Sequence, residues 1–169
     1  MKEALRDTAV AVLDACPDLA LATLREDGFP QNTTVSFVHD GLTIYFGTGE
    51  EAQKAENIAR DPRVSITLTA PYDSWDEIRG LSMAGHVERM TTEAEIALVG
   101  ELMLKKFPQI ADMDVMEDVT PAFFRVTPTV ISVLDYSKGF GHLDTVRVSD
   151  SDIAETLSSM QHKWLVSAG

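Results

Sequence analysis

The densest run of potential chemistry lies at residues 46–54, FGTGEEAQK. Within it, GTGEEA fits the dinucleotide fingerprint G-x-G-x-x-G/A, whose glycines let the backbone approach a pyrophosphate at a helix N-terminus. That fingerprint also needs a parallel strand–helix–strand unit and an acidic residue closing the next strand, where it holds the ribose. Neither is expected here. The strand before the glycines is the third of a hairpin series, and the next β-prone run, VSITLTA at 64–70, ends at Pro71 with no carboxylate at its tip. Glu50 and Glu51 also put negative charge where the pyrophosphate would sit. The dinucleotide reading is rejected.

The same segment supports another use. Thr48 closes a strand and Lys54 lies one turn into the helix that follows. A strand-end hydroxyl, backbone N–H groups and a helix ammonium can converge on one terminal phosphate. Lys54 can equally pair with Glu50 at i,i+4 on a solvated face. Spacing alone leaves both readings open.

A second unusual stretch is YSKGFGHLD at 136–144, with two aromatics, a lysine, a histidine and two glycines. Tyr136 or Phe140 could cover a flat ligand, and Lys138 or His142 could contact phosphate or act as an acid. The competing reading is a structural turn whose aromatics plug the end of the fold. Trp75, in PYDSWD, is a lone loop aromatic that reads as packing, with ligand stacking as the alternative. No pair of histidines has metal-ligand spacing. Ser36 and Ser82 lack a nucleophile-elbow context. With only Cys16 present, neither an intrachain disulfide nor a cysteine-based metal site is available.

These residues must be carried by a scaffold, and the hydrophobic patterning describes one. Leu5, Ala9, Val12 and Cys16 recur at helical spacing, so residues 3–15 are expected to be a helix stopped by Pro17. Residues 19–24, 33–38 and 43–46 read as strands joined by short turns at Asp27-Gly28 and His39-Asp40-Gly41, hence as antiparallel neighbours. A helix is expected over 51–60, then strands over 64–70 and 78–88. Thr92 and Glu95 form a capping box that opens the longest helix, 93–107. Residues 109–120 read as an acidic loop. Two further strands, 123–126 and 130–134, are separated by Thr127-Pro128, and a C-terminal helix begins at Ser149 and runs to about residue 162. The sum is about seven strands, mostly joined as hairpins, with helices inserted between them. The fold class expected is mainly β with flanking helices (α+β): an antiparallel split β-barrel in a single domain over 1–169, with 1–16 as its N-terminal helix.

Bulk composition bounds the function. Hydrophobic residues are 44% and charged residues 24%, an ordinary globular balance. The formal net charge of -13 argues against nucleic-acid and anionic-membrane surfaces, which need concentrated Lys and Arg. The N-terminus has no signal-like apolar run, and no segment approaches the ~20 apolar residues of a membrane span. A cytoplasmic location is the expectation.

The ordered set of pieces is what becomes recognisable: a Gly-Phe-Pro turn, the hairpin into IYFGT, Lys54 and Asn57 on a helix, DPRVSI, LSMAGHVERM and the capped helix. It resembles the pyridoxamine 5′-phosphate oxidase-like, FMN-binding split-barrel family over residues 15–135. The block 46–65, with T-x5-K-x2-N and then D-P-R-V-S, is its sharpest part. The resemblance implies a dimeric barrel with FMN in clefts at the dimer interface, acting on a small-molecule redox substrate. It implies that the strand carrying Thr34, Val35, Ser36 and Phe37 runs along the isoalloxazine edge through its backbone groups. Thr48 and Lys54 would contact the phosphate, Gln53 occupies a position that is often basic, and Ser82 would approach from the partner side. Tyr136, Lys138 and Phe140 complete the candidate set. This sequence departs from true pyridoxamine phosphate oxidases in its TTVSFV strand, which has no Lys or Arg, and in the absence of recognisable basic substrate-phosphate residues. Pyridoxal phosphate synthesis is therefore not expected. A flavin-dependent oxidoreductase is the leading expectation, beside a non-catalytic, stress-related flavin-binding module or the same barrel with a deazaflavin or haem.

Overall fold

The computed structural model describes residues 1–112 and 119–154. Helix α1 (Glu3–Ala15) spans the run its apolar spacing dictates and buries Ala9, Val12 and Leu13. Strands β1 (Asp18–Leu24) and β2 (Pro30–Asp40) form a hairpin. Its turn needs a left-handed residue, supplied by Gly28 at φ 79. Strand β3 (Thr43–Gly49), helix α2 (Gln53–Arg60) and strand β4 (Arg63–Thr69) follow. Then come β5 (Arg79–Arg89), α3 (Glu93–Lys106), β6 (Pro121–Asp135) and β7 (Leu143–Arg147).

All strand pairs are antiparallel in the order β3-β2-β1-β4-β5-β6-β7, and an additional β3–β6 pairing closes the first six into a barrel. Strand β7 rides on β6 outside the ring. This is the antiparallel split barrel with flanking helices that the patterning predicts. Strict inward alternation fills it: Phe37, Ile44, Phe46, Leu21 and Ile131 are almost fully buried, and α1 adds its own apolar face to the same core. Helix α3 covers Val38 and Tyr45 on the outer side of β2 and β3, forming a second cluster around Val99 and Met90.

Three devices fix α3 to the barrel. Thr92 caps its first turn, accepting from the Glu95 N–H at 3.4 Å and donating to the Glu95 carboxylate at 2.7 Å. Arg125 of β6 bonds Glu95 and Glu88 at 2.7 Å each. At the other end the Lys106 ammonium donates to the carbonyls of Cys16 at 2.8 Å and Phe37 at 3.0 Å, and lies 3.8 Å from the centre of the Phe37 ring. Burial pushes the Lys106 ammonium below its usual range and the neighbouring Cys16 thiol above its own.

Several sequence expectations are corrected. The two strands expected at 123–126 and 130–134 are one 15-residue strand, β6. Pro128 does not break it because the β5–β6 register shifts at Ala84/Gly85, and a bulge removes the need for its missing N–H. Gly85 makes that closeness possible: a Cβ there would lie 2.8 Å from the Thr127 carbonyl oxygen. Residues 143–147, expected within or after a loop, form β7 because β6 is long enough to pair on a second edge. Helix α2 begins at Gln53 rather than residue 51, since Ala52 is extended (φ -68, ψ 141) and acts as the N-cap. Residues 108–112 form a short 3-10 turn where a loop was expected. The rest of that loop, 113–118, lies outside the described residues, and so does the C-terminal helix beyond its start at 150–154.

Strand alternation sorts the connections between two ends of the barrel. The β1–β2 turn, the β3–α2 corner and the start of β6 lie at one end. The β2–β3, β4–β5 and β6–β7 connections lie at the other.

Candidate functional site

The β3–α2 corner is built from the residues first noticed in the sequence. Thr48 pairs with Ala122 of β6 and is half-buried. Gly49 ends the strand, residues 50–52 turn, and Gln53 and Lys54 open α2. The i,i+4 pairing of Lys54 with Glu50 does not form. Glu50 precedes the helix and bonds Arg89 at 2.9 Å instead. Lys54 is half-buried, and among the described residues no carboxylate lies within 4.0 Å of its ammonium. A depression of about 360 Å³ beside the corner is lined by Gly49, Glu50, Glu51, Ala52, Val119 and Thr120. Its two carboxylates make it a poor seat for an anion, so a phosphate would have to sit on the Lys54 side.

Asn57 holds this corner in place. It is fully buried on α2, and its amide uses every hydrogen-bonding position. Its nitrogen donates to Thr23 Oγ1 at 3.0 Å and to Gln31 Oε1 at 3.1 Å, tying the helix to β1 and β2. Its oxygen accepts from Gln53 at 3.1 Å and Arg60 at 2.8 Å. Gln53, a candidate ligand residue, therefore has its amide nitrogen engaged with Asn57 and, at 3.3 Å, with Glu56. Sequence reasoning placed Asn57 in a motif but gave it no role, because its partners are far away in the chain.

The second part of the site is an opening in the sheet. Strand β2 pairs with β1 over residues 30–36 and with β3 only over 37–40. Beyond Phe46, β3 leaves β2 and pairs with β6 alone. Along residues 30–36 the edge of β2 away from β1 is therefore unpaired among the described residues. The Phe37 N–H reaches the Pro17 carbonyl on the β1 side at 3.5 Å. By strand alternation, the N–H and C=O groups of Thr34 and Asn32 face the open edge. The Val35 and Phe37 side chains point into the core, while Thr34 and Ser36 are exposed, with Ser36 donating to Asp18 at 2.5 Å. Nearby on the inward side, Thr33 Oγ1 is buried with no hydrogen-bond partner.

Ser82 lies elsewhere on the sheet. It is exposed on β5, paired with Thr67 of β4 and Ser132 of β6. Register aligns Thr34, Ala20, Thr67, Ser82, Ser132 and Thr145 in one outward row across six strands. Thr34 and Ser82 are three strands apart, about 14 Å at the usual interstrand spacing.

The loop candidates occupy the opposite barrel end from the Thr48–Lys54 corner. Tyr136 and Lys138 form a short 3-10 turn after β6, and Lys138 is held between Asp135 at 3.7 Å and Asp144 at 3.4 Å. Asp135 is buried and accepts from Ser137 and Arg79. Burial raises its carboxyl, but these hydrogen bonds outweigh that and hold it below the usual range. His142 bonds Asp144 at 2.9 Å, which lowers that carboxyl. Phe140 is 79% exposed and stacks on Trp75, with centroids 5.7 Å apart and planes 14° from parallel. Tyr136 leans on Phe140 at 5.2 Å. Trp75 thus joins a ligand-candidate aromatic that the sequence places more than sixty residues away, a pairing with no local signal. Among the described residues no group of His, Cys, Asp or Glu could hold a metal ion. No helix among them is long and apolar enough to cross a membrane.

Comparisons with known proteins agree with this architecture. General stress protein 26 of Bacillus subtilis (strain 168) is 41% identical over 64 residues, 38% of this chain and 45% of that protein. The chain therefore spans less than half the length of that curated relative. A conserved hypothetical protein, Rv2991, from Mycobacterium tuberculosis is 28% identical with a TM-score of 0.69, covering 89% of this chain and 94% of the other. A heme binding protein from Mycobacterium smegmatis superposes with a TM-score of 0.71 at 21% identity, over 87% of this chain and 59% of that one, a likeness of fold. The family model described as pyridoxamine 5′-phosphate oxidase matches residues 5–135, which takes in the barrel from α1 through the whole of β6. A closed six-stranded antiparallel barrel with an open β2 edge and a lysine-bearing helix at its corner, matched over that span, makes this chain a member of the pyridoxamine 5′-phosphate oxidase family.

Proposed function

We propose that this chain is an FMN-binding flavoprotein, a flavin-dependent oxidoreductase working on a small redox substrate as a homodimer. The Lys54 ammonium carries the reading: the residue is half-buried at the start of α2, across the β3–α2 corner from Thr48, with no described carboxylate paired to it. A phosphate there would take charge from Lys54, a hydrogen bond from Thr48 and the dipole of the helix start. The backbones of Asn32 and Thr34 along the open β2 edge each offer a donor and an acceptor to a ring system, and Thr33 Oγ1 is a buried hydroxyl in need of a partner. Bound flavin supplies the electron-transfer chemistry; the chain supplies position, exclusion of water and hydrogen bonds to the ring.

The row of Thr, Ser and Ala side chains running from Thr34 to Thr145 favours a dimer, because short side chains let a second copy approach the sheet closely. Vitamin B6 phosphate chemistry is disfavoured by the absence of Lys and Arg from residues 33–38. The reading is tested by native mass spectrometry and FMN titration of purified protein. One flavin per subunit is expected, and Lys54→Ala should weaken binding by about tenfold to a hundredfold, the worth of one charge-assisted bond, with the melting temperature unchanged. Protein that carries a deazaflavin or haem, or has no affinity for FMN, refutes it.

A further inference from the structure

His39 has no task in the flavin reading, yet both of its ring nitrogens are engaged. Its side chain is 6% exposed. Nδ1 lies 2.9 Å from the Gly41 carbonyl oxygen, and Nε2 lies 3.1 Å from an Asp14 carboxylate oxygen. A carbonyl and a carboxylate only accept, so each nitrogen must donate. Neutral imidazole carries one N–H and would turn a lone pair on one of the two. The imidazolium carries two and satisfies both.

The ring stands where positive charge is short. It shares the inward side of β2 with Phe37 and meets the last turn of α1 beside the β2–β3 turn. That helix end has no basic residue of its own, and Asp14 adds a carboxylate to the negative end of the helix dipole. The cations arrive on other elements: Lys106 of α3 bonds the Cys16 carbonyl, and His39 faces Asp14. The titratable groups packed about this end are Asp14 and Cys16 from α1 and its cap, Asp40 beside the ring on β2, Asp18 at the start of β1 and Lys106 from α3. Strand β3 places the uncharged Ile44 opposite His39. The carboxylates favour the imidazolium; Lys106 opposes it but is spent on two carbonyls.

We propose that His39 is a pH-sensitive latch, fastening the end of α1 to the barrel while its ring holds both protons. Losing one proton breaks one of the two hydrogen bonds. Gly41 is buried and its carbonyl cannot turn to water, whereas the Asp14 side chain is 68% exposed and can. The Nε2 proton is therefore the one released, and Asp14 is left facing a lone pair. The latch is closed on the acid side of the histidine range, about pH 5–8, and opens as pH rises through it.

The test uses the full chain, with nitrogen NMR of labelled histidine and hydrogen exchange of the α1 amides corrected for their intrinsic rates. At about pH 5 both His39 ring nitrogens should carry a proton, and at about pH 8.5 only Nδ1 should. Over the same interval, amides 11–15 should lose about tenfold in protection, the worth of one charge-assisted hydrogen bond. His39→Gln has no charge to lose, so its α1 amides should stay at the unlatched level at every pH. Asp14→Asn changes an exposed side chain and removes the charge that favours the second proton, so the same loss should come at lower pH. It keeps the inference testable if His39→Gln does not fold. A ring with a single proton on the acid side overturns the latch, and so does protection that ignores pH. An equal fall in His39→Gln, or a fall in Asp14→Asn at the wild-type pH, assigns the effect to another group and overturns it too.

Discussion

Replacing Asn57 with Ala gives the sharpest test of how the corner is held. The amide makes four hydrogen bonds, to Thr23, Gln31, Gln53 and Arg60. At about 1 kcal/mol net for each neutral bond and up to about 3 for the charged one, the gross loss is about 4–6 kcal/mol. Gln53 and Arg60 are exposed enough to turn to water and recover part of it, and Gln31 is half-buried. Thr23 is 3% exposed, so its hydroxyl is stranded at a cost of about 1–3 kcal/mol. The better helix propensity of Ala returns about 0.5 kcal/mol, and the vacated volume takes a similar amount. The expected net loss is about 3 kcal/mol, or about 6–12 °C in Tm for a chain of this size. Urea denaturation followed by tryptophan fluorescence would show it as a lower midpoint at unchanged m. A loss below about 0.5 kcal/mol would mean that the buried network contributes nothing net, and the account of the corner would fail.

Three other outcomes follow from packing and charge. Gly85→Ala places a Cβ at 2.8 Å from the Thr127 oxygen, so strands β5 and β6 must shift and stability should fall by about 1–3 kcal/mol, or about 2–12 °C in Tm; an unchanged Tm contradicts the bulge reading. Lys106→Met leaves the Cys16 and Phe37 carbonyls without their donor and removes the ring contact, with an expected loss of about 1–2 kcal/mol by denaturant titration. The Arg63 guanidinium beside Asp61 lowers its carboxyl from 3.8 to about 2. A carboxyl lowered by folding contributes stability above its unfolded value, and that contribution is lost as pH falls from 3.8 through about 2. Asp61→Asn should flatten this part of the acid-unfolding curve, and identical curves for the two proteins would refute the pairing.

The barrel was legible in the sequence because its strands alternate cleanly and are joined by short turns with evident residues, such as Asp27-Gly28. Local rules failed where a long-range pairing decided the outcome. Thr127-Pro128 reads as a break, yet Gly85 on a strand forty residues earlier lets the chain pass straight through. Residues 143 and 144 read as the end of a loop and 145–147 carry no local signal, yet the extra length of β6 makes all five a strand. In the site, Thr48 and Lys54 fall where the motif places them, on either side of the β3–α2 corner. The freedom of Lys54 from Glu50 was hidden because it depends on Arg89, which arrives on β5. The Trp75–Phe140 stack was hidden for the same reason: two loops meet only because the strands beneath them pair.

The closing strand β6 also sets the order in which this chain can become a barrel. Residues 44–49 of β3 wait for residues 121–126, and β5 waits for the same strand on its free edge. Until β6 is available, the nascent chain holds a five-stranded open sheet with two unpaired edges, and its core face is covered only by α1 and α2. Closure is thus a single late, non-local event, which favours slow folding and a period in which bare edges can join another chain. Lesions in β6 should therefore appear as poor yield and aggregation as well as lost stability, since Phe124, Val126, Ile131 and Val133 of this strand are buried in the core.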